Sequence, residues 1–208
     1  MEIYKTVIGE ASAEFTEKHS RFIGYAAHTE TDEEAVAFID EIRKRHSDAR
    51  HNIYAYVLNA DNRSRFSDDG EPHGTAGKPA LDIVNGFQLK DVTVVVTRYF
   101  GGILLGTGGL VRAYSKAVKD ALEAAEKVLM VPGDIIVAKC DYSLYDRFEK
   151  ILGEFGADVI STEFADSVKI TFSVDEQKTE EFIAETTDRL NSRVLLELKD
   201  KKYTKKAI

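Results

Sequence analysis

The sequence predicts an α+β chain in two parts: mixed strands and helices over residues 1–131, then a βαββαβ unit over residues 134–198. Three observations carry this. A long helical pattern ends near residue 128 and runs into Val131-Pro132-Gly133-Asp134, a turn-forming break in a chain with only three prolines. Beyond it, strand and helix patterns follow one another in the order of the split motif. All five histidines and most of the glycines lie before the break, so the distinctive chemistry is concentrated in the first part.

The first part opens with strand-like stretches at residues 3–8, 11–17 and 21–28. Thr31 and Glu34 have the spacing of a capping box, in which the hydroxyl accepts from the Glu34 amide and the carboxylate reaches back. The helix this predicts covers residues 32–46. Its Ala35, Phe38, Ile39 and Ile42 form one apolar stripe, and Arg43, Lys44 and Arg45 crowd the negative end of its dipole. A strand at 51–58 and a polar loop at 59–73 follow, then a helix near 75–85 with Pro79 in its first turn. Residues 92–97, Val-Thr-Val-Val-Val-Thr, are β-branched throughout and predict a central buried strand. A glycine-rich loop then leads into a long helix over 108–127. In the second part, strands are expected at 135–141, 158–164, 168–174 and 193–198, with helices at 144–155 and 176–190. A basic tail, 199–208, closes the chain.

The chain has 208 residues, with 43% hydrophobic and 31% charged, a composition typical of a globular protein. Its net charge is −8, divided evenly between the two parts. That balance argues against a histone-like or purely electrostatic nucleic-acid binder, so any polyanion must meet a local patch, and DNA is not expected as a partner. Cys140 stands alone, which excludes an intramolecular disulfide or a thiolate zinc cluster and suits a reducing compartment. Charges interrupt the N-terminus where a secretory signal needs an apolar core, and no run approaches a membrane span; a cytoplasmic location is expected.

Four segments could carry chemistry. Arg65–Pro79 holds Asp68, Asp69 and Glu71 around a Gly70/Pro72 turn, just before a helix start offering Thr75, Lys78 and unpaired amides. These carboxylates could ligate a hard cation, act as a base, cap turns or pair with nearby cations. Arg98–Tyr114 holds five glycines between 101 and 109, where successive amides could accept an anion beside Arg98 and Arg112. The loop matches neither the P-loop nor the dinucleotide fingerprint. The same glycines could equally serve positive φ or close helix–sheet packing. Arg50 and His51 stand at the entry to a strand, without the paired spacing of metal ligands. The tail, with five lysines and Tyr203, could contact RNA phosphates or be a solvated end.

Ser20-Arg21-Phe22-Ile23, Asp48-Ala49-Arg50-His51, the Phe66–Pro79 run and Arg98–Tyr114 together resemble the YigZ/IMPACT family, over nearly the whole chain. The strings Asp-Asp-Gly-Glu-Pro-x-Gly-Thr-Ala-Gly-x-Pro and Arg-Tyr-x-Gly-Gly-x-x-Leu-Gly-x-Gly-Gly-Leu are long and specific. The resemblance implies a ribosomal S5 domain 2-like fold for residues 1–131 and a ferredoxin-like domain, similar to those of elongation factor G, for 134–198. It also implies a role in translation, since eukaryotic IMPACT is a translational regulator acting through a protein partner.

The function expected is therefore binding of RNA or a ribosome-associated protein in an anion-accepting groove of the first part. Its residues are Arg50, His51, Asp68, Asp69, Glu71, Thr75, Lys78, Arg98, Tyr99, Gly106, Thr107, Gly108, Gly109 and Arg112. No cofactor and no metal are expected. The alternative is a metal-assisted hydrolase of a dipeptide or small phosphorylated substrate, with Asp69 or Glu71 as general base.

Overall fold

The computed structural model describes residues 1–207 and divides into two compact units, residues 4–128 and residues 129–206 together with 1–3.

The first unit is built on a five-stranded antiparallel sheet. Its strands are β2 (Glu10–Glu17), β3 (Ser20–His28), β6 (Val92–Tyr99), β4 (His51–Val57) and β5 (Ser64–Ser67), in the spatial order β2-β3-β6-β4-β5. A short strand β1 (Tyr4–Ile8) precedes them, and its Lys5 carbonyl accepts from the Lys90 amide. Because β6 is central, both faces are covered, which is why its sequence is an apolar run rather than an alternation. Val92, Val94 and Val96 join Phe22, Ala26, Ile53 and Ala55 beneath α2 (Gly77–Gly86) and α3 (Thr107–Ala124). Val95, Ile23, Tyr25 and Tyr56 pack on the other face with Ala35, Ile39 and Ile42 of α1 (Asp32–Arg45). The Glu34 amide donates to Thr31 Oγ1 at 3.1 Å, and the Glu34 carboxylate accepts from the Glu30 amide. Helix α3 lies so near β3 that a Cβ on Gly24 would sit 2.3 Å from the Ala117 carbonyl oxygen.

The second unit has the ferredoxin-like element order: β7 (Glu126–Cys140), α4 (Tyr142–Phe155), β8 (Asp158–Phe164), β9 (Val168–Asp175), a 3₁₀ turn at Glu176–Lys178, α5 (Thr179–Arg189) and β10 (Leu195–Ala207). Its strands run β8-β9-β7-β10. Phe148, Phe172 and Phe182 pack edge-on or tilted in a core that also holds Cys140, whose thiol titration is pushed up by burial.

The structure corrects four expectations. Strand β7 is continuous from 126 to 140, so Pro132 lies within a strand rather than at a turn, although the two units do divide nearby, at 128/129, and helix α3 ends at Ala124 rather than 127. The polar loop 59–73 contains β5, whose Phe66 and Arg65 lie opposite Ala55 and Tyr56. Residues 199–207 form the second half of β10, not a tail. Thr204 is buried there, reaching the Val131 carbonyl, and Lys201 pairs with Glu176. Ile208 lies outside the described residues.

Candidate functional site

At one end of the first sheet, His51 of β4 and Phe22 of β3 stand directly opposite Arg98 of β6. Alternation puts Arg98 on the face of Val94 and Val96, toward the helices. Glu71 reaches the same place by a tight turn, since Asp69 and Gly70 both take positive φ, 43° and 83°. The Arg98 Nη1–H donates to Glu71 Oε1 at 2.5 Å, and the Tyr114 hydroxyl of α3 donates to the same oxygen at 2.7 Å. Arg98 is 5% exposed and Glu71 9%. The guanidinium lies 5.4 Å from the ring centres of both Phe22 and Phe100, and Nη2–H points to Ser20 Oγ at 3.4 Å. Burial, and next the Glu71 charge, hold the Tyr114 hydroxyl far above its ordinary titration range, so it stays a donor.

His51 completes the cluster. Its Nδ1 lies 2.7 Å from the Asp69 carbonyl oxygen, which can only accept, so Nδ1 carries the hydrogen. Nε2 then faces Glu71 Oε1 at 3.8 Å. Beside this cluster opens a cavity of about 410 Å³, lined by Arg50, His51, Glu71 and Arg98 together with Pro72, Phe100, Leu104, Leu105, Leu110 and the Gly106-Thr107 start of α3. Helix α3 has Gly106, φ 72°, at its N-cap, so it has no side-chain cap, and no acidic residue stands in its first turn. Its dipole therefore presents partial positive charge that the helix itself leaves uncompensated. Among the described residues Arg50 makes no ion pair. The chemistry on offer is an electropositive end joined to an apolar wall.

The other expected residues lie elsewhere or are spent internally. Asp68 accepts from the amides of Gly74, Ala76 and Gly77 and so caps α2. Burial opposes its ionised form, but those three amides outweigh it and hold the carboxyl below its ordinary range. Asp69 accepts from the Asn52 amide at 2.7 Å and faces Arg43 at 3.4 Å. Thr75 is buried and donates to the Pro72 carbonyl. Lys78 is exposed and paired with Asp82. Tyr99 points the other way, into a relay with His46 and Asp48. Gly109 and Arg112 line a separate cavity of about 310 Å³ with Phe15, Lys18 and Lys116, and Gly108 lines neither. Three to be added to the expected set are Tyr114, Phe22 and Phe100. Tyr114 follows Leu110 by four positions on a buried stripe, and a core tyrosine hydroxyl needs a partner; that was its available signal.

Among the described residues no three His, Cys, Asp or Glu side chains are grouped to hold a metal ion, and no helix is long and apolar enough to cross a membrane.

The fold and the site define a two-unit α+β protein whose best-formed polar cluster lies wholly in the first unit. Residues 18–122 match the family model of the Impact N-terminal domain, and residues 139–193 that of a domain of unknown function, DUF1949. The chain is 41% identical to the IMPACT family member YigZ of Escherichia coli, over 82% of this chain and 85% of that one. It is 36% identical to the IMPACT family member YvyE of Bacillus subtilis, over 99% and 95%. A solved structure described as a hypothetical protein superposes with a TM-score of 0.64 at 36% identity, covering 96% of this chain and 98% of that one. The chain belongs to the IMPACT family.

Proposed function

We propose that this chain is a translation-associated regulatory protein of the cytoplasm that holds an anionic group of an RNA or ribosome-associated protein partner in the cavity of its first unit. Family membership supports the translational half of this reading, because the resemblance to that family implies a role in translation. One observation carries the other half: Arg50, His51 and the uncapped start of α3 converge on one cavity, while the neighbouring carboxylate, Glu71, is already neutralised by Arg98.

The test is co-sedimentation of the purified chain with ribosomal particles and capture of partners from lysate, each with and without nuclease. Arg50→Glu inverts the charge at the cavity without touching a buried contact and is expected to lower retention at least tenfold. Retention of the variant equal to that of the unmodified chain rejects the cavity as the contact.

A further inference from the structure

We propose that the cavity receives a peptide carboxylate adjoining an apolar side chain, presented by a protein partner. This rests on the reading above and narrows it to one ligand chemistry. Three features favour it. The lining is divided: Arg50, His51 and the start of α3 are polar, whereas Pro72, Leu104, Leu105 and Leu110 make an aliphatic wall. That pairing suits a compact anion attached to an apolar group. The wall continues outward, since Leu104 is 80% exposed and Ile103 and Phe100 are also exposed, an apolar patch of the kind that a partner covers. Lastly, the Arg98 Nε–H is buried without an acceptor although Arg98 lines the cavity. An unsatisfied buried donor is costly, and a carboxylate seated against Arg98 offsets part of that cost through its charge, without having to reach Nε itself.

An RNA strand fits less well. Sequence-tolerant RNA binding uses open aromatic faces along a basic track. Here the single phenyl ring in the lining, Phe100, already has the Arg98 guanidinium 5.4 Å from its centre, and the imidazole of His51 is held by the Asp69 carbonyl. The carboxylate can come from a chain terminus or from an Asp or Glu side chain, and these two sources share the chemistry.

The test is a titration of the ¹⁵N-labelled full chain, following the amides of Thr107, Gly108 and Leu110. Four probes are compared: acetyl-Gly-Leu-Phe with a free carboxylate, the same peptide as its C-terminal amide, acetyl-Leu-Glu-Leu-amide, and hexauridylate. At least one of the two carboxylate peptides is expected to shift these amides, and which one identifies the source. The amidated tripeptide should bind at least tenfold more weakly than the better carboxylate peptide. Arg50→Ala and Leu104→Ser should each weaken that peptide about tenfold, while Lys78→Ala, on the exposed side of α2, changes nothing. Binding of the amidated tripeptide equal to that of the better carboxylate peptide overturns the proposal, as does silence of all peptides. Hexauridylate shifting the amides while the peptides are silent overturns it in favour of RNA and leaves the proposed function standing. Only an Arg50→Glu chain that still captures partners fully removes the latter.

Discussion

The guanidinium of Arg98 meets the carboxylate of Glu71 at 2.5 Å, with both side chains more than nine-tenths buried. The pair joins the central strand to the turn before α2, and Tyr114 ties α3 to the same oxygen. Three elements of the first unit therefore converge on one atom.

Breaking this pair from one side should be far worse than removing it. Arg98→Met leaves a buried, uncompensated carboxylate and is expected to destabilise the first unit by about 3–5 kcal/mol. The double variant Arg98→Met, Glu71→Leu should recover more than half of that loss. Urea denaturation of the single and double variants measures both numbers, and a strictly additive cycle would contradict the coupling.

Asp68 makes the stability of the first unit sensitive to acid. Its folded carboxyl titrates below the ordinary value of 3.8 because three amides outweigh the burial that would raise it. The stabilisation is thus fully present above about pH 4 and is lost as pH falls through the lower, folded value. Asp68→Ala should cost about 1–2 kcal/mol at neutral pH, as loss of a helix N-cap does, and flatten the dependence between pH 2 and pH 5. Denaturation across that range reads both effects.

On the opposite face, the Tyr25 hydroxyl lies 2.6 Å from His46 Nε2, and His46 Nδ1 lies 2.9 Å from the Tyr99 hydroxyl, which donates to Asp48. Since Tyr99 donates onward, Nδ1–H donates to it and Nε2 accepts from Tyr25 in the neutral ring. Burial first, then Arg45 and Arg21, lowers the His46 titration below 6.5. Its contribution is present above pH 6.5 and declines as pH falls through the folded value, because the unfolded chain takes up the proton first. His46→Gln should remove that slope, which thermal melts from pH 5 to pH 7.5 would show.

Gly24→Ala is expected to be severe. The new methyl would stand 2.3 Å from the Ala117 carbonyl oxygen, so α3 must shift from β3. A loss of about 1–3 kcal/mol, visible in the melting temperature, follows from forced overpacking. Gly153→Ala, with open space around the added methyl, is the control and should leave the melt unchanged or slightly raised.

The regular elements were legible wherever burial imposes a period. The β-branched run at 92–97 announced the central strand, and Thr31 with Glu34 marked the start of α1. Lys199–Lys206 was not legible as a strand, because only pairing makes a lysine-rich segment extended; nothing local distinguishes it from a solvated tail. The four-residue β5 was hidden for the same reason. In the site, Arg98 and the glycine loop could be singled out, but the meeting of Arg98 with Glu71 could not. It depends on the β4–β6 register and on positive φ at Asp69, which no spacing encodes. For the same reason Asp68 and Glu71, three positions apart, looked alike in sequence yet serve a helix cap and a buried pair.

The buried thiol of Cys140 has a practical consequence. With the chain's single native sulfhydryl enclosed in the core of the second unit and its deprotonation disfavoured, a cysteine placed at Leu104 would be the preferred target of maleimide reagents under native conditions. A fluorophore or cross-linker could then be mounted at the mouth of the first unit's cavity without altering the background sequence, turning occupancy of that mouth into an optical signal.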